Sequence, residues 1–85
     1  MYEIQFTRQA VRALRSMPRS SANRIRDKLD HLAKDPYASN PNVTKLQGRP
    51  GYRLRVGNWR VIYEVENDRL VVLVLKVAPR GEVYR

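Results

Sequence analysis

Tyr52-Arg53-Leu54-Arg55-Val56-Gly57-Asn58-Trp59-Arg60-Val61-Ile62-Tyr63 reads as two strands joined by a tight turn. Gly57 and Asn58 are the residue types that tolerate the positive φ such a turn asks for. A two-residue turn sets Val56 opposite Trp59, Arg55 opposite Arg60, and Leu54 opposite Val61. Because side chains alternate along a strand, Arg53, Arg55 and Arg60 then project from one face. Tyr52, Leu54, Val56, Val61, Tyr63 and Val65 project from the other. Arg55 and Arg60 become direct cross-strand neighbours, and like charges so placed are destabilising. A chain that accepts this penalty has a use for the cluster. The planar guanidinium fork suits an anion such as phosphate.

Working outward, Tyr2-Glu3-Ile4-Gln5-Phe6 alternates apolar and polar residues and predicts a strand. Thr7 is placed to cap a helix. Ala10, Val11, Leu14 and Met17 keep helical spacing, and Pro18 ends that run or opens the next helix. Ala22, Ile25, Leu29 and Leu32 define a second amphipathic helix over 19–34. Asp35–Asn42, with two prolines, is a loop. A short extended piece at 43–46 precedes the loop Gln47-Gly48-Arg49-Pro50-Gly51. Glu66-Asn67-Asp68 forms a turn. Leu70–Val77 is apolar on both alternating sets apart from Lys76, which predicts an interior strand buried on both faces. The order β-α-α-β-β-β predicts an α+β fold: an antiparallel meander with a two-helix hairpin on one face and the arginines on the other. Residues 1–85 form a single domain in this reading.

The 17 Lys and Arg against 8 Asp and Glu leave a net charge of +9. That balance points to an acidic partner such as nucleic acid. The chain has no cysteine, which excludes disulfides and zinc–thiolate sites. The chain opens on the strand pattern rather than on a basic-then-apolar signal segment. Val71–Leu75 is too short an apolar run to span a bilayer. A cytoplasmic protein that makes no membrane contact is the expectation. The Asp and Glu residues are scattered without ligand spacing, so no metal or other cofactor is expected.

These pieces together resemble the RelE/ParE toxin superfamily, nearer its RelE ribonuclease branch. The resemblance rests on the Tyr2–Phe6 strand, the two helices and Lys45-Leu46-Gln47-Gly48. It continues through Tyr52–Arg55, Gly57–Tyr63 and Val77-Ala78-Pro79-Arg80-Gly81-Glu82-Val83-Tyr84, nearly end to end. Each motif is loose alone, but their order and spacing are specific. The resemblance implies an mRNA endoribonuclease of a type II toxin–antitoxin system, acting in the ribosomal A site. It implies attack by the 2′-hydroxyl, leaving a cyclic phosphate and a 5′-hydroxyl. It carries the catalytic role to Arg53, Arg55, Arg60, Arg80 and Tyr84. The implied partners are a cognate antitoxin, mRNA, and the ribosome through rRNA contacts of the basic surface. The toxin–antitoxin complex would reach operator DNA through the antitoxin.

Arg53 and Arg55 stand where the best-known branch has lysines. Arginine stays protonated, so it clamps phosphate and stabilises charge but is a poor base. The general base stays unassigned; Glu64, on the strand parity of Arg60, and Glu82, near Arg80, are both open. Tyr84 suits either catalysis or stacking on a base. His31 lies off the apolar stripe of its helix and reads as a solvent-facing residue. Trp59 has core parity and reads as packing. The helix arginines read as a solvated face that adds phosphate contacts if the protein docks on RNA. The competing function is a non-enzymatic ParE-type poison of DNA gyrase. A plain RNA-binding module, needing neither Tyr84 nor an antitoxin, is a third.

Overall fold

In a computed structural model, residues 1–82 are described here. The chain runs β1 (Glu3–Phe6), α1 (Arg8–Ser16), α2 (Arg19–Lys34), β2 (Val43–Lys45), β3 (Tyr52–Val56), β4 (Trp59–Glu66) and β5 (Val71–Pro79). The strands form one sheet in the order β1-β5-β4-β3-β2. β2 to β5 make the expected antiparallel meander, and β1 joins β5 in parallel. The extended piece at 43–46 is thus a strand in its own right.

The helices start where the sequence asks. The Thr7 hydroxyl accepts from the Ala10 N–H at 3.3 Å, capping α1, and donates to the Leu75 carbonyl at 2.6 Å. One side chain therefore ends a strand, starts a helix and ties both to β5. α2 begins after Pro18, whose carbonyl accepts from Ser21 and Ala22. Ala10 and Leu14 of α1 and Ala22, Ile25, Leu29 and Leu32 of α2 bury against Leu54, Val56, Val61, Tyr63, Val72, Val74 and Val77. Ile25, Leu29 and Tyr63 have no exposed surface. Burying each such aliphatic side chain is worth roughly 1.5–3 kcal/mol relative to leaving it in water.

Lys76 threatens this arrangement. Continued alternation from Val72 and Val74 would point it into the core. The β4–β5 register slips instead: Tyr63 pairs with Val74, while Ile62 pairs with Lys76. Leu75 is the extra residue of a bulge. Val77 returns to the core, and Lys76 shares the face of Ile62.

Beyond Phe6, β1 ends and β5 loses a strand neighbour. Gln9 replaces it. Its amide donates to the Val77 carbonyl and its Oε1 accepts from the Val77 N–H, both at 3.0 Å. The side chain thus imitates a strand backbone.

Two expectations need correction. Leu70 is not part of the interior strand; it is half exposed in the β4–β5 turn with φ 52°. Its carbonyl accepts from Glu3 N–H at 2.8 Å, which fixes the turn to β1. Second, β5 is not buried equally on both faces. On its open side Val71 is buried and Leu46 packs on Ile62 and Ala78, but Leu73 and Lys76 are only partly buried.

Candidate nucleic-acid interface

The hairpin forms with the expected register: Val56 to Trp59, Arg55 to Arg60, Leu54 to Val61. Gly57 alone supplies the positive φ, at 57°; Asn58 does not share it. A turn with glycine first and one left-handed residue needs nothing more. Leu54, Val56 and Val61 are buried under the helices. Alternation therefore sends Arg53, Arg55 and Arg60 to the open face. There they line a cleft of about 160 Å³ with Pro41, Asn42 and Thr44.

Arg55 and Arg60 are positioned by hydrogen bonds. Arg55 donates through Nη2 to Asn42 Oδ1 at 3.0 Å, and its N–H donates to the Asn42 carbonyl at 2.8 Å. Arg60 donates through Nη1 to the carbonyls of Gly57 and Trp59, each at 2.9 Å. These bonds draw its guanidinium back toward the hairpin tip and ease the Arg55–Arg60 pairing. Thr44 pairs with Arg53 across β2 and β3. Arg80, exposed just past β5, is brought to the same end by its N–H, which donates to the Asn58 carbonyl at 2.7 Å. Trp59 pairs with Pro79 and Arg60 with Ala78, so Arg80 follows immediately beside the hairpin. Four of the five expected residues thus gather at one end of the sheet. Tyr84 lies outside the described residues.

Neither candidate base joins the arginine cleft. Glu64 packs beside Gly51, where a Cβ would meet the Tyr63 carbonyl at 2.8 Å and Glu64 Cγ at 3.2 Å. Ile62 separates it from Arg60 on the strand. Glu82 lines a groove with Gln9, Ala13, Met17 and Trp59, on the α1 side. His31 is exposed on α2. Trp59 packs on the helix-side core, as its parity requires. Among the described residues, no group of three or more His, Asp or Glu side chains is placed to hold a metal ion. No described helix is long and apolar enough to cross a membrane.

Under the cleft, Tyr52 stacks on Tyr63 with ring centroids 5.4 Å apart and planes 22° from parallel. The Tyr63 hydroxyl is buried with no hydrogen-bond partner. Burial, and then the neighbouring Tyr52 phenol, raises its pKa far above the usual tyrosine value. Sequence reading missed Asn42 and Thr44 as site residues. They are remote from the arginines in sequence, and only the β2–β3 pairing brings them there.

The sequence model of the family described as the ParE toxin of type II toxin–antitoxin systems matches residues 4–84. Toxin RelG of Mycobacterium tuberculosis is 28% identical over 86 residues, spanning 99% of this chain and 97% of that protein. The mRNA interferase toxin RelE of Escherichia coli is 27% identical over 88 residues, spanning 98% and 90%. The fold is similar to that in the archaeal RelE–RelB complex of Pyrococcus horikoshii OT3. That similarity has a TM-score of 0.80 and 35% identity over 96% of this chain and 98% of that one. The intact E. coli RelBE toxin–antitoxin complex also gives 0.80, at 25% identity over 96% and 99%. With the family match running almost from end to end, this chain belongs to the ParE toxin family of type II toxin–antitoxin systems and is a RelE-like member of it.

Proposed function

We propose that this toxin is a ribosome-dependent mRNA endoribonuclease. The observation that carries the reading is the arginine cleft: Arg53, Arg55 and Arg60 on one open sheet face, with Arg80 tied to the same end. The name of the similar E. coli protein, an mRNA interferase, supports the same reading.

In the proposed reaction the 2′-oxygen attacks the adjacent phosphorus and the bond from phosphorus to the 5′-oxygen breaks. The products are a cyclic phosphate and a 5′-hydroxyl. A proton leaves the 2′-oxygen and one reaches the 5′-oxygen. Arg53 and Arg55 clamp the phosphate. Arg60 and Arg80 oppose the charge that builds in the transition state. Tyr84 stacks on a base or assists at the leaving oxygen. The reaction is metal-independent, since the guanidinium groups supply the positive charge. Among the described residues no carboxylate or histidine lines the cleft, so the free protein is a poor nuclease and depends on the ribosome to hold the mRNA in line.

The test is cleavage of mRNA by purified toxin. Transcripts in the A site of programmed ribosomes are cut, and the same transcripts free in solution stay largely intact. Equal cutting of free RNA, or no cutting on ribosomes, refutes the reading.

The family description favours one alternative, a ParE-like poison of DNA gyrase. Expression would then give gyrase-linked DNA breaks while mRNA stays whole.

We also infer a cognate antitoxin, as the complexes of similar toxins with RelB suggest. Charge would steer an acidic antitoxin to a +9 chain, so stopped-flow association slows as salt rises. An association rate indifferent to salt would rule out steering.

A further inference from the structure

The arginine cleft does not stop at Arg53. A second cleft, of about 370 Å³, continues from it and is lined by Thr44, Lys45, Leu46, Gln47, Arg49 and Arg53. Thr44 and Arg53 belong to both. The two form one trough along β2 and β3, with Arg55 and Arg60 at one end and Gln47 and Arg49 at the other. Among the described residues neither lining contains a carboxylate. Arg55 and Arg53 are two residues apart on β3, roughly 7 Å. A charged trough of this kind tracks a nucleic-acid backbone rather than a compact ion.

The loop bearing Gln47 and Arg49 is fixed at both ends. Leu46 is buried on Ile62 and Ala78, and its N–H donates to the Gly51 carbonyl at 3.0 Å. Gly51, at φ +110°, lies so close to the Tyr63 carbonyl that any side chain there would clash. Between these anchors, Gly48 turns with φ +73° in open space. Gln47 and Arg49 have exposed side chains that make no hydrogen bond or ion pair among the described residues. A guanidinium and an amide, held on an anchored loop without internal partners, are preorganised for a ligand.

We infer that this trough holds a second nucleotide subsite, in which Gln47 and Arg49 bind the base and phosphate next to the phosphate gripped by Arg53, Arg55 and Arg60. The inference rests on the ribonuclease reading and extends it. Gln47, with an amide donor and acceptor, contacts a base edge. Arg49 holds phosphate. These are positioning residues: they register the RNA, and the arginine cleft acts on it.

The test is NMR titration of the whole protein with an uncleavable 2′-O-methyl RNA trinucleotide and, separately, with a mononucleotide. The trinucleotide shifts the amide signals of Gln47, Gly48 and Arg49 as well as those of Arg53, Arg55 and Arg60. The mononucleotide shifts only the arginine set. Arg49→Ala weakens the trinucleotide roughly 5-fold more than the mononucleotide and lowers its log–log salt slope by about one, as loss of one phosphate contact does. Arg49→Lys restores most of that affinity. On programmed ribosomes, Arg49→Ala raises the half-saturating toxin concentration several-fold while the saturated cleavage rate holds. Loop signals that stay silent while the arginines respond overturn the subsite and leave the nuclease reading standing. If neither set responds, the subsite falls, and cleavage on programmed ribosomes decides the nuclease reading separately. An Arg49→Ala effect on the saturated rate alone also overturns the subsite.

Discussion

The two faces of the sheet are built from the same strands by opposite rules. On the helix side, alternate residues are apolar and vanish under α1 and α2. On the other, the same strands carry arginines at the hairpin end and a small apolar patch of Leu46, Ile62 and Ala78 farther along. The covered face supplies the stability that lets the open face tolerate Arg55 opposite Arg60. Stability and proposed chemistry are therefore separable by substitution, and each variant below acts on one face.

The largest effect is expected beneath the helices. Leu29→Ala empties a fully buried position and should cost about 2–5 kcal/mol. At roughly 4–8 °C per kcal/mol for a chain this small, the melting temperature should fall by about 8 °C or more. Loss of cleavage should follow unfolding. A melting temperature within a degree or two of wild type would mean the helices do not supply the stability.

The reverse pattern is expected on the open face. Arg60→Ala and Arg80→Ala should each slow single-turnover cleavage on ribosomes by about 10²-fold, with melting little changed. The double variant should fall short of the product of the two if both hold one phosphate. Full cleavage rates in both single variants would remove these residues from the reaction.

This division was largely legible in the sequence. The hairpin register follows from Gly57 and the alternation on either side, and α2 follows from Ala22, Ile25, Leu29 and Leu32. What was not legible depends on long-range pairing. β1 lies parallel to β5 because the helices return the chain to that edge. The bulge at Leu75 is decided by Lys76, whose charge cannot enter the core. Asn42 and Thr44 reach the arginines only once β2 docks on β3. Glu64 shares the parity of Arg60, but parity fixes the face and not the distance along it.

A smaller effect sharpens the comparison at the tyrosine pair on the helix side. Tyr63→Phe removes a buried hydroxyl that has no partner. It should stabilise the fold by about 1 kcal/mol, since an unmade buried hydrogen bond is penalised. It should also flatten the alkaline limb of stability. Because burial raises the folded pKa of Tyr63, the wild type keeps its full contribution below about pH 10, the unfolded value. As pH climbs above that, the unfolded chain ionises first and stability falls by up to about 1.4 kcal/mol per pH unit. Chemical denaturation of both proteins across that range checks the sign. Identical slopes would mean Tyr63 is solvated in the folded protein.

The smallest effect concerns the like-charged pair. Arg55→Thr should stabilise by a few tenths of a kcal/mol at low salt, within the range of cross-strand pairs, less what is lost with the Asn42 bond. The gain should fade near 1 M salt, where the Debye length is about 3 Å. Destabilisation at every salt concentration would mean Arg55 stabilises through that bond more than it repels Arg60.

Gln9 has a consequence for how the sheet meets other chains. Unpaired N–H and C=O groups on a strand invite a foreign strand to add on, and thereby seed aggregation. At the end of β5, where β1 has already stopped, Gln9 occupies both groups of Val77 and Thr7 occupies the Leu75 carbonyl. That side of the strand leading into Arg80 is closed to templated growth. Gln9→Leu would reopen it, turning a sealed flank beside the arginines into a docking rail for any extended peptide.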